Sequence, residues 1–193
     1  MNDKVNVELN FPTAIAWKNF GKPDKKIVDY VRKISLENKD DPFNCPCIST
    51  VRTYNQILKD KILDGILKNI IEVVGSFCQF TNLKSENLQI ADSWANLYNE
   101  GGYQDLHMHH ASLLSGVYYL KSQGNQDIVF QNPCYFNIPV LPDYNEININ
   151  NAMNVNYETF EGRCMVFMSS LMHKTLPATD ERISISFNIT YRK

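Results

Sequence analysis

Histidine is scarce in this chain, with only four in 193 residues, and other features are missing altogether. No run of eighteen apolar residues occurs, which excludes a transmembrane helix. The opening stretch "MNDKVNVELNF" lacks a basic segment followed by an apolar one, so no secretory signal is expected. Charge of either sign is not in excess: 19 basic against 21 acidic residues leave a formal net charge of −2, without the electrostatic footprint of a nucleic-acid or anionic-membrane binder. The five cysteines are odd in number and irregularly spaced, which predicts reduced thiols in a cytoplasmic protein rather than a disulfide framework. "CPC" at 45–47 has no second cysteine pair to complete a zinc set. There is no internal repeat.

What remains is an ordinary globular composition, 44% hydrophobic and 21% charged, in a chain long enough to bury a core. A single domain over 1–193 is expected, with 1–87 as support and 88–193 as the main β unit. Around Pro12, "VELNFPTAIAWKNF" suits a strand pair, and "DKKIVDYVRKISLEN" has helical spacing. Residues 55–75 predict the clearest helix: Ile62, Ile66 and Ile70 recur every fourth position, Leu63, Leu67, Ile71 and Val74 widen the stripe, and Gly75 is a plausible stop. From residue 88 onward, "QIADSWANLYN", "SLLSGVYYLKS", "DIVFQNP", "GRCMVFMSS" and "RISISFNITYR" read as strands. The Asn- and Pro-rich stretch 131–156 reads as a long loop, either a lid or a plain insertion. The predicted class is mainly β (α+β), a jelly-roll core with supporting N-terminal helices.

Three of the four histidines, His107, His109 and His110, fall in "DLHMHH". On a strand, residues i and i+2 share a face, so His107 and His109 would present two imidazoles side by side with Met108 turned away. His173, on the turn predicted after "GRCMVFMSS", offers a third. Three protein ligands on one face leave positions open for small molecules, as in facial non-heme iron sites. A surface cluster of no consequence is the competing reading. His110 is out of phase and is expected to be a bystander.

Nine positions after His173, Arg182 opens an alternating strand. Arg182, Ser184, Ser186 and Asn188 share one face, and Ile183, Ile185 and Phe187 the other. An inward arginine among serines suits a carboxylate pocket, because its planar fork can bind a carboxylate bidentately. A solvated polar face is the plainer alternative.

With these residues in view, the second half resembles the 2-oxoglutarate- and Fe(II)-dependent dioxygenase superfamily. It looks closest to small stand-alone bacterial and phage proteins on the prolyl-4-hydroxylase-like side. The resemblance is carried by "SWANLYNEGGYQDLHMHHASLLSGVYYL", "EGRCMVFMSSLMHKTLPA" and "ERISISFN". It implies a double-stranded β-helix, cupin-like, with Fe(II) held by His107, His109 and His173. It further implies that Arg182 and Tyr119 bind the far carboxylate of 2-oxoglutarate, with Tyr118 facing the other way. Asn96 and Asn188 would be polar neighbours of that co-substrate. Dioxygen is then the other co-substrate, succinate and carbon dioxide are released, and a small-molecule or peptidyl substrate, such as a peptidyl proline, is hydroxylated. One departure stands out, since the superfamily usually reads HxD or HxE where position 109 is histidine. Asp105, two residues before His107, is therefore a fallback neighbour of the metal.

Two rivals stay open. A three-histidine cupin-type dioxygenase would dispense with 2-oxoglutarate, and Arg182 at the spacing of a carboxylate clamp speaks against it. A non-catalytic jelly-roll module would hold zinc in a closed set. Neither the substrate nor the oligomeric state is legible in the chain.

Overall fold

Alternating apolar residues decide the layering of this protein. The computed structural model describes residues 5, 7, 11–40, 46–124, 127–135, 140 and 142–192. In chain order the elements are β1 (Ile15–Asn19), α1 (Lys25–Glu37), β2 (Ile48–Ser49), α2 (Asp64–Thr81), β3 (Leu88–Tyr98), β4 (Gln104–His107), β5 (Leu114–Lys121), β6 (Asp127–Gln131), β7 (Asn154–Glu158), β8 (Arg163–Met168), β9 (His173–Thr175) and β10 (Arg182–Tyr191). The strands form two antiparallel sheets, ordered β1-β8-β5-β10-β3-β2 and β4-β9-β6-β7. Two such sheets with helices against the larger one are the expected jelly-roll core with helical support.

Each strand of the large sheet sorts its side chains by parity. Ile183, Ile185, Phe187 and Ile189 of β10, with Leu114, Tyr118 and Leu120 of β5, face the helices and join Val31, Ile66, Ile70, Val73 and Phe77 in the main core. Val117 and Tyr119 of β5 with Met165 and Phe167 of β8 point the other way, against Ile128 and Phe130 of the small sheet. Burying each large side chain contributes about 1.5–3 kcal/mol. At Gly116 β5 passes close to its neighbours: a Cβ there would lie 2.2 Å from Phe187 Cζ and 2.5 Å from the Met165 carbonyl oxygen.

The helices differ from expectation in detail. Helix α1 follows the prediction and is capped by the Asp24 side chain, which accepts from the Lys26 amide at 2.8 Å. Helix α2 starts nine residues later than predicted and runs through Gly75 to Thr81. Residues 57–63 wind as two 3-10 turns instead, and the Leu58 amide there donates to Ser93 Oγ of β3. Gly75 does not stop the helix because Phe77 and Cys78 continue the buried stripe of Ile66, Ile70 and Val73. Asn82, at φ 54°, takes the left-handed position that closes it. Ile62 and Ile71, placed on the stripe from spacing, are exposed.

All five predicted strands from residue 88 onward are present. Of the strand pair around Pro12, only the second member is seen, as β1; most of the first lies outside the described residues. The connection 131–156 is shorter than predicted, since Pro133–Tyr135 form a 3-10 turn and Asn154 already belongs to β7. Among the described residues no helix is long and apolar enough to cross a membrane.

Candidate active site

The cross-strand register of β3 and β10 builds one wall of a pocket. Arg182 stands opposite Tyr98, Ser184 opposite Asn96, Ser186 opposite Trp94, and Asn188 opposite Asp92. From Asp92 to Tyr98 and from Arg182 to Asn188 the even-numbered residues face inward, which turns the polar set of β10 toward the space between the sheets. Past the register shift, Leu88 and Ile90 pack against the main core instead. Gln104 and His107 of β4, His173 and Thr175 of β9, and Ile128 of β6 supply the opposite wall. Val117, Tyr119 and Phe167 form the floor.

The three histidines converge at this pocket. One ligand atom from each of His107, His109 and His173 falls within 4.8 Å of the others. His107 ends β4 and pairs directly with His173, the first residue of β9 rather than a turn residue. His109 lies beyond the end of β4, yet its ring stacks 5.2 Å from that of His107. Its backbone N–H donates a hydrogen bond to the Ser169 carbonyl at 2.9 Å. His110 is exposed, as expected.

Each ring is oriented by one acceptor. His107 Nδ1 donates to the Asp105 carbonyl at 2.7 Å and His173 Nδ1 to the Leu171 carbonyl at 2.8 Å. His109 Nδ1 donates to Asn188 Oδ1 at 2.6 Å. With Nδ1 protonated in all three, Nε2 keeps its lone pair, the form a metal ligand needs. Burial lowers the pKa of each ring; for His173, burial and then the neighbouring His107 push it down to about 3. The cluster is therefore neutral at pH 7 and presents nitrogen donors rather than cations, which fits a divalent transition metal. Asp105 contributes its carbonyl to His107; its carboxylate is not among the clustered ligand atoms.

Deeper in the pocket, Arg182 is fully buried. Its guanidinium lies 4.3 Å over the Tyr98 ring and donates to Thr175 Oγ1 at 3.0 Å and to the Leu176 carbonyl at 3.3 Å. Nε has no partner, and neither has the buried hydroxyl of Tyr119. Leaving a buried donor unmet costs about 1–3 kcal/mol, so two of them lining one cavity fit an absent anion with several acceptor oxygens. Burial raises the Tyr119 pKa, so its hydroxyl stays a donor. Tyr118 points to the helices and accepts from Asn69.

The two asparagines separate. Asn96 lines the pocket, donating to Ser186 Oγ and accepting from Ser49 Oγ. Asn188 does not line it and is instead engaged with His109 and Ser115. Trp94, Gln104 and Thr175 were not singled out from sequence, because only the register brings them here. Cys45 lies outside the described residues, and Cys47 packs near Tyr98 and Ala178, away from the histidine cluster.

Comparison with known proteins agrees with this geometry. Residues 92–188 match the model of a family described as "Putative 2OG-Fe(II) oxygenase". No curated protein matches the chain. Among solved structures, a Pseudomonas putida prolyl-4-hydroxylase is similar over 94% of both chains, at 16% identity and a TM-score of 0.65. HygX from Streptomyces hygroscopicus, with nickel and 2-oxoglutarate bound, is similar over 93% of this chain and 83% of its own, at 13% identity and a TM-score of 0.61. A viral collagen prolyl hydroxylase from Paramecium bursaria Chlorella virus-1 covers 87% and 88%, at 14% identity and a TM-score of 0.54. At these identities the likeness concerns the fold.

Proposed function

Because this chain belongs to the 2-oxoglutarate- and Fe(II)-dependent oxygenase family, we propose that it is a hydroxylase whose iron is held by His107, His109 and His173 and whose 2-oxoglutarate is held by Arg182 and Tyr119. The observation that carries the assignment is the pairing of a neutral three-histidine cluster with two unmet buried donors in the same pocket. Fe(II) and 2-oxoglutarate together supply the oxidising chemistry: dioxygen is consumed, succinate and carbon dioxide leave, and one oxygen atom enters a substrate C–H bond.

The chain's own contribution is placement. Arg182 Nε–H and the Tyr119 hydroxyl donate to the far carboxylate of the co-substrate, and Thr175 and Tyr98 hold the guanidinium in position for it. With each Nδ1 held by an acceptor, the three Nε2 lone pairs are left free for one ion in rings already oriented. Ile128, Val117 and Phe167 exclude water from the floor. The connection 131–156 is our candidate for closing over the substrate. The prolyl hydroxylases among the similar structures support a peptidyl proline as the first substrate to try. The thiols of Cys78 and Cys164, buried and unbridged, suit a reducing cytoplasm.

The test is an anaerobic titration of the metal-free protein with Fe(II) and 2-oxoglutarate, followed in the visible. A weak charge-transfer band is expected, lost in His173→Ala and weakened in Arg182→Ala. Iron binding without a band would favour a three-histidine dioxygenase that makes no use of 2-oxoglutarate. Succinate release that rises on adding a proline-containing peptide, with a mass gain of one oxygen on the peptide, identifies the substrate class.

A further inference from the structure

Position 109 is where a carboxylate is usual in this kind of site, and the imidazole there leaves a divalent ion one negative charge short. The residues behind His109 bear on that deficit. Asn188 Oδ1 accepts from His109 Nδ1 and also from Ser115 Oγ at 2.7 Å. Ser115 Oγ in turn lies 2.8 Å from Ser169 Oγ, and the Ser169 carbonyl holds the His109 backbone. Directly across the β10–β3 ladder from Asn188 stands Asp92. Burial pushes its carboxyl up in pKa while the Asn188 side chain opposes that rise, so with its oxygen committed the Asn188 amide has its NH₂ left for this neighbour.

Asp92 is hard to explain otherwise. It sits half-buried on the inward face of β3, one of its oxygens is buried without a partner, and no described cation pairs with it. A carboxylate in such a place costs free energy unless something offsets it. A divalent ion held by His109 would offer that compensation through Asn188, which bonds the ring on one side and stands across the ladder from Asp92.

We propose that Asp92 is a positioning residue for His109, acting through Asn188, and that it carries from behind the ligand the negative charge that a carboxylate at position 109 would bring. The proposal rests on the reading of His109 as a metal ligand. It assigns Asn188 to the metal side of the site rather than to the co-substrate. It also divides the three histidines: two are oriented by neutral backbone carbonyls and one by an asparagine that stands across the ladder from a carboxylate.

Two measurements test it together. The first is Co(II) affinity of the wild type and of His109→Ala, Asp92→Asn and Asp92→Ala. The second is ¹⁵N NMR of the histidine side chains in the metal-free forms. Asp92→Asn keeps the size and an acceptor oxygen, so it removes mainly the charge; about a tenfold loss of affinity is expected, with Asp92→Ala losing more. In both variants the ring nitrogens of His109 should shift while those of His107 and His173 stay put. Wild-type affinity in Asp92→Asn, or movement of all three rings together, overturns the proposal, the latter because it marks a merely structural role. Failure of the wild type to bind Co(II), or unchanged binding by His109→Ala, would instead sink the ligand assignment beneath it.

Discussion

Two buried donors without partners make the residue-scale case. Among the described residues Arg182 is the largest fully buried side chain, and the fold spends Thr175, Leu176 and Tyr98 on holding it while leaving Nε unmet. A charge-assisted bond contributes about 1.5–3 kcal/mol, so Arg182→Gln should raise the KM for 2-oxoglutarate roughly 10- to 100-fold, with a smaller change in kcat. Tyr119→Phe removes a neutral donor and should raise it about 3- to 10-fold. Steady-state succinate assays at varied 2-oxoglutarate check both, and an unchanged KM in Arg182→Gln removes this residue from the co-substrate site. Spacing in the sequence pointed to His107 and His109 as neighbours and strand parity to Arg182 as inward, whereas His173 was joined to them as a third candidate and Tyr119 entered only through the family resemblance. Asn188 was legible as an inward residue but not as the partner of His109, and Asp92 was not legible at all. Their meeting depends on the β10–β3 register and on contacts 79 residues apart, which no local pattern encodes.

At the scale of elements, the strands were read more faithfully than the helices. Period-two alternation is rigid, so "RISISFNITYR" could hardly be anything else, whereas helix ends respond to competitors. The start of α2 yields to two 3-10 turns pinned by Ser93, and its end ignores Gly75 in favour of Asn82. His109 comes beside His107 by a route other than the shared strand face expected from its spacing. It lies past the strand rather than on it, just before Ala111 at φ 66°. Strand packing also yields a prediction. Gly116→Ala puts a methyl into Phe187 and the Met165 carbonyl, and a backbone atom cannot swing aside as a side-chain tip can. Denaturant unfolding should show a loss of about 1–3 kcal/mol or more, whereas a wild-type midpoint would mean that β5 and β8 are not so closely apposed.

For the whole molecule, the main core draws on both α2 and the large sheet, so residues 1–87 and 88–193 have no separate interiors. We therefore propose one folding unit, which should unfold in a single transition with coincident near- and far-UV circular dichroism. Acid should weaken the metal-free protein in two windows. His173 has a folded pKa of about 3 against an ordinary 6.5, so the unfolded chain takes up its proton first, and stability complete above 6.5 is lost as the pH falls toward 3. Glu181 is held at about 2, against 4.5, first by hydrogen bonding from Arg32 and then, after the opposing effect of burial, by Lys121. Its contribution is present above 4.5 and disappears as the pH falls toward 2. Melting temperature against pH should thus flatten in the lower window in Glu181→Gln and in the upper window in His173→Gln. An unaltered profile in either variant would discount that group.

Strand β10 holds Arg182 at one end and Asn188 six residues on, about 20 Å away along a backbone that rises about 3.3 Å per residue. The genetic consequence is an unforgiving reading frame within the strand itself. Deleting one codon between them would turn every inward residue on one side of the gap toward the helices. The guanidinium or the histidine's acceptor would leave the pocket in the same event. Substitutions can erode this enzyme gradually, but a one-residue indel in β10 is an all-or-nothing lesion.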